Sequence, residues 1–96
     1  MIVSFRDGAT EALFHGEAGK AIKKIPPSIR SAAIRKLDML NAAKERGDLR
    51  APPGNRLEAL KGDLAGRHSI RVNEQWRIVF RWETGDAHEV EIVDYH

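Results

Sequence analysis

Apolar and polar positions follow a helical period in the first half of the chain and a period of two in the second. From Ser28 onward, Ile29, Ala33, Leu37 and Leu40 fall on one helical face, with Ala32 and Ile34 beside them. Pro26-Pro27 suits the entry to a helix but not its interior, and Gly47 offers a stop. The spacing predicts a helix from Ser28 to about Arg46. A shorter one is predicted over residues 8–15, where Ala9, Ala12 and Leu13 follow an Asp7 N-cap and Gly16 ends the run. The later segments alternate. His68, Ile70 and Val72 oppose Ser69 and Arg71, and Trp76, Ile78, Phe80 and Trp82 oppose Arg77, Val79 and Arg81. Asn73-Glu74-Gln75 and Thr84-Gly85-Asp86 read as turns, with a further strand over Ala87–Val93. Ile2–Phe5 is a short strand that needs a partner from elsewhere. The expectation is a single α+β domain over residues 1–96: an N-terminal strand, two helices, then an antiparallel β-meander. The aromatic face of the sheet packs on the helices, and its arginine face is expected to be open.

Composition sharpens this in three places. The chain has no cysteine, which excludes a disulfide staple and a cysteine-ligated zinc. The N-terminus MIVSFRDG has no long apolar run, so neither a signal peptide nor a membrane span is expected, and a cytoplasmic location is. The net charge of +2 conceals an asymmetry: residues 1–82 hold all sixteen Lys and Arg against nine acids, and the last fourteen hold five acids and no base. A basic body with arginines clustered on one face suggests a polyanionic partner such as nucleic acid, the alternative being solvated helix surfaces. No helix-turn-helix pattern is visible, and the histidines and carboxylates show no metal-ligand spacing such as HExxH.

Several short motifs occur together: MIVSF at the start, LKGD at 60–63, HSIRVNEQWRIVFRW at 68–82, GDA at 85–87 and VDYH at 93–96. In this order and spacing the chain resembles the HigB branch of the RelE/ParE toxin superfamily, across nearly its whole length. The resemblance implies a toxin of a type II toxin–antitoxin system that enters the ribosomal A site and cuts mRNA without a metal or other cofactor. The 2′-hydroxyl attacks the adjacent phosphate, leaving a 2′,3′-cyclic phosphate and a 5′-hydroxyl. It also implies a HigA-like antitoxin with a helix-turn-helix fold, through which alone the toxin would touch operator DNA. Relatives of the ParE type, which poison gyrase, keep open a second class: an inhibitory module that does not cut RNA. A third is a co-repressor acting through its antitoxin.

In-line attack needs an acceptor for the 2′ proton, positive charge on the phosphate and a donor for the leaving oxygen. Arg77 is the phosphate-stabilising candidate, since a guanidinium stays charged and can grip two oxygens. Lys61 can add a second charge, Tyr95 can stack on a base, and His96 can shuttle a proton. The resemblance carries Lys61, Arg77, Asp94, Tyr95 and His96 over as functional. Some relatives have histidine where this chain has Glu58, in a pattern like LHPLKGD. The general base is therefore open between Glu58, His96 and His68, the last also readable as a partly buried structural histidine. Arg67, Arg71, Arg81 and His68 complete the candidate RNA-binding set. Arg71 and Arg81 are equally readable as cross-strand partners of Glu89 and Glu91.

Overall fold

The computed structural model describes residues 1–50 and 53–94. Two helices cover one face of a four-stranded antiparallel sheet. Helix α1 spans Gly8–Phe14 and α2 spans Pro27–Ala42; the strands are β1 (Glu58–Ala59), β2 (Arg67–Arg71), β3 (Trp76–Glu83) and β4 (Asp86–Asp94), in spatial order β1-β2-β3-β4. The α+β expectation is met. The N-terminal segment joins through two parallel bridges to β4, Ile2 to Ala87 and Phe5 to Val90, rather than as a full strand.

The Asp7 carboxylate accepts the Thr10 N–H and caps α1, as its position suggested. The α2 stripe Ile29, Ala33, Leu37 and Leu40 is buried against Ile70, Ile78, Phe80, Val90 and Ile92 of the sheet. Helix α2 ends four residues early, at Ala42. The Asp48 carboxylate accepts the N–H groups of Lys44 and Glu45, both at 3.0 Å, and this opens a separate 3-10 turn over Arg46–Leu49. A side chain that satisfies backbone donors locally competes with continued helix. Those same two N–H groups hold the Asp48 carboxyl below its ordinary range. Arg30 of α2 donates to the Ile25 and Ile22 carbonyls and fastens the preceding 3-10 turn over Ala21–Lys24.

Strands β3 and β4 meet through Thr84 and Gly85, both at positive φ (53° and 82°), which suits the right-handed twist of a two-residue hairpin. Their register then slips by one. Val79 faces Glu91 and Arg81 faces His88, so Glu89 and Val90 together oppose Phe80. The bulge is local, with Glu89 at φ 51°. It lets Ala87, Val90 and Ile92, which do not alternate, all face the core. The Ser4 and Thr10 hydroxyls accept the N–H groups of Glu89 and Ile92 beside it. A second difference is β1. The expected meander begins at His68, yet Glu58 and Ala59 pair with Ser69 and His68 and add an edge strand.

Candidate functional site

The register places Glu58, Ser69 and Val79 in one cross-strand row on the sheet face away from the helices, with Arg71 beside Arg77 and Arg67 beside Arg81. This face is not open throughout. Val79 is 1 % exposed and Arg77 only 7 %. The segment leading into β1, the edge strand, meets Arg77 through the Arg56 carbonyl. Asn55, fully buried, holds that segment down: its amide donates to the Leu49 carbonyl at 3.1 Å and to the Met39 sulfur at 3.0 Å, and Lys36 donates to its oxygen. Burial, with Arg35 nearby, lowers the Lys36 pKa.

Directly after Asn55, Arg56 takes φ 45°, a left-handed conformation that aims its carbonyl at Arg77. Arg77 Nη2 donates to that carbonyl at 2.6 Å, and Arg77 Nε donates to the Ser69 hydroxyl at 2.7 Å. A longer contact of 3.4 Å runs from Nη2 to the Ser69 carbonyl. The Glu58 carboxylate lies 3.9 Å from Nη2 with its side chain 52 % exposed. A buried guanidinium needs such partners, because an unpaired charge out of water is costly. Beside it opens a basin of about 310 Å³ lined by Arg56, Arg71, Asn73, Glu74 and Arg77. Arg71 reaches Glu74 at 3.9 Å, a carboxylate otherwise in solvent. Asn73 shapes the rim: its oxygen accepts the N–H groups of Gln75 and Trp76, both at 2.8 Å, and sets the β2–β3 turn.

The other candidates separate from this cluster. Arg67 and Arg81 converge on Glu89 at 3.1 and 3.2 Å, and Arg81 also pairs with Glu83. These pairs hold the Glu89 carboxyl below its ordinary range, the Arg67 hydrogen bond contributing most. Arg81 thus takes the cross-strand role with Glu89, whereas Arg71 pairs with Glu74 across the turn. Lys61 is exposed on the turn beyond β1, which runs from Ser69 toward Arg67, and it does not line the basin. His68 lies on the helix-facing side, stacked on Phe80 at 6.3 Å between ring centroids. Burial lowers its pKa, with Arg46 and Arg50 adding to the effect, which is the behaviour of a structural histidine. Asp94 ends β4 opposite Trp76 and accepts the Gln75 amide at 3.1 Å. Tyr95 and His96 lie outside the described residues. Arg56, Asn73, Glu74 and Ser69 were not singled out in the sequence. Only the position of Ser69, two residues before Arg71 in the alternating run, offered a signal.

Among the described residues no group of three or more His, Asp and Glu is placed to hold a metal ion, and no helix is long and apolar enough to cross a membrane.

A small α+β domain with this order of helices and strands has the architecture of the RelE-like toxins. Two solved structures of YoeB–YefM complexes from Staphylococcus aureus share it, with TM-scores of 0.56 and 0.57 over 100% of this chain and 98% of theirs. At 14% and 16% identity they speak for the fold alone. A family model described as the RelE-like toxin of the type II toxin–antitoxin system HigB matches residues 3–96. The chain is 47% identical to Toxin HigB-1 of Vibrio cholerae over 87 residues, 91% of this chain and 90% of that one. It is 34% identical to Endoribonuclease HigB of Proteus vulgaris over the full length of both. The chain belongs to the HigB-like toxins of type II toxin–antitoxin systems.

Proposed function

We propose that this chain is a ribosome-dependent mRNA endonuclease that cuts without a metal. Its whole length acts as one catalytic domain in the cytoplasm. The observation that carries the reading is Arg77, buried at the edge of a basic basin with its guanidinium already oriented. The name of the Proteus vulgaris relative, an endoribonuclease, supports it.

In the proposed reaction the 2′-oxygen bonds to phosphorus and the bond from phosphorus to the 5′-oxygen breaks. The products are a 2′,3′-cyclic phosphate and a 5′-hydroxyl. Arg77 meets the charge that grows on the phosphoryl oxygens, where a fixed donor stabilises the transition state without reorganising. Arg71 and Arg56 hold the neighbouring phosphates. Glu58, 3.9 Å from Arg77 and open to solvent, takes the proton of the 2′-hydroxyl. His96 returns a proton to the leaving oxygen while Tyr95 stacks on a base, with Asp94 beside them in the chain and Lys61 adding charge from the adjoining loop. The partner that silences the chain is a helix-turn-helix antitoxin, and contact with operator DNA runs through it.

The test is cleavage of a defined mRNA by the purified protein, with and without programmed ribosomes, with the new ends mapped. Cuts that require ribosomes and end in 2′,3′-cyclic phosphates are expected. Growth arrest with no cleavage would sink the reading and direct attention to gyrase.

A further inference from the structure

We infer that Ser69 is a positioning residue for the cleavage reaction: its buried hydroxyl sets the orientation of the Arg77 guanidinium. The inference rests on the endonuclease reading above and goes beyond it, because Ser69 itself does not line the basin.

Arg71 is the direct cross-strand neighbour of Arg77, and Ser69 lies one step along the diagonal on the same face. A long side chain at Arg77 can therefore lie back along the sheet over Ser69. There Nε donates to the hydroxyl at 2.7 Å and Nη2 donates to the Arg56 carbonyl at 2.6 Å. Donating from Nε and from Nη2 to acceptors in two different strands and loops fixes both the tilt and the rotation of the planar group. Ser69 is 0 % exposed, so its oxygen faces no competition from water for that bond. Serine is otherwise a poor choice for this position. A fully buried position beside Val79 would pack better with an apolar side chain, and a buried hydroxyl is costly unless used. Arginine also has more rotamer freedom than almost any side chain, so an unrestrained guanidinium would spend most of its time away from the phosphate. Holding the group in its reactive orientation before substrate arrives removes that loss from the barrier.

The experiment compares Ser69→Ala, Ser69→Thr and Ser69→Cys with the unmodified protein on programmed ribosomes. Ser69→Ala is expected to slow single-turnover cleavage by about tenfold to a hundredfold, with KM changed by less than about twofold. Ser69→Thr restores the oxygen and should recover most of the rate. Ser69→Cys keeps the volume but offers only a weak acceptor, so it should behave like Ser69→Ala and serves in its place if alanine impairs folding. In an Arg77→Lys background, which lacks the guanidinium, Ser69→Ala should cost little more. The Arg77 Nε–H resonance reports the contact without any cleavage. It should exchange slowly with solvent in the unmodified protein and rapidly in Ser69→Ala. If the unmodified protein cuts and Ser69→Ala cuts equally well, or costs the same in both backgrounds, the inference is wrong. If the unmodified protein does not cut at all, the endonuclease reading has failed, and an Nε–H signal unaffected by Ser69→Ala would then overturn the positioning role separately.

Discussion

The sheet face away from the helices carries arginines at both ends, and the two ends use them in opposite ways. At one end Arg67 and Arg81 share the Glu89 carboxylate at hydrogen-bond distance, with Glu83 adding a further pair. At the other, Arg56, Arg71 and Arg77 surround a basin where the acids, Glu58 and Glu74, stand 3.9 Å off and largely in water. The first end is a closed ionic cluster. The second is an open basin lined by three arginines. One difference between them is where an acid sits on β4. Glu89 of β4 gives its carboxylate to both distal arginines, whereas the β4 residue opposite Arg77 is the apolar Val93. An arginine count along β2 and β3 cannot detect this.

The largest effect should come at the basin. Arg77→Ala is expected to reduce ribosome-dependent cleavage by about a thousandfold or more, as loss of a preorganised transition-state donor does. It should also cost about 1–3 kcal/mol of stability, because Ser69 and the Arg56 carbonyl lose a buried charged donor. The arginine is therefore structural as well as functional, and a denaturant melt run beside the cleavage assay separates the two losses. Arg71→Ala at the same end should slow cleavage by only about three- to tenfold, through weaker binding of ribosome-bound mRNA and with a salt dependence that shrinks accordingly. An effect as large as that of Arg77→Ala would mean that the two arginines grip the same phosphate.

The distal end should respond in stability and pH rather than in cleavage. The folded-state pKa of Glu89 is depressed by Arg67 and Arg81, so its contribution is present above the ordinary carboxyl value of 4.5 and is lost as pH falls through the lower folded value. Glu89→Gln should leave cleavage at neutral pH unchanged, lower Tm there, and flatten the loss of Tm on acidification. A large loss of cleavage would show that the two ends are coupled. Glu91 should give the smallest effect and the opposite sign. Burial raises its carboxyl pKa, only partly offset by Arg6 at 3.6 Å, so stability is lost as pH rises through the folded value. Glu91→Gln should slightly raise Tm at pH 7 and change little at pH 4.

Much of this was legible because it is local. The α2 stripe, the Asp7 cap, the alternation of β3 and the two turns each depend on residues within a few positions of one another. The longest motif that resembles the HigB-like toxins, HSIRVNEQWRIVFRW, lies on β2, β3 and the turn between them, and the family comparison agrees with the resemblance. The end of α2 was missed because an Asp48 side chain outcompeted the helix for two backbone donors. Strand β1 was missed because two exposed residues carry no period, and pairing with β2 alone defines them.

By itself, then, the sequence determined the two helices, the strands β2 to β4 and the arginine-bearing strand face, since periodicity and caps act over a turn or a pleat. Only the tertiary structure decided which arginines are neutralised. That outcome depends on Glu89 lying between Arg67 and Arg81, on the approach of the Arg56 carbonyl to Arg77, and on burial that makes one serine hydroxyl a partner of Arg77. Charge in a protein takes its meaning from distance and from exclusion of water, and neither is written along the chain.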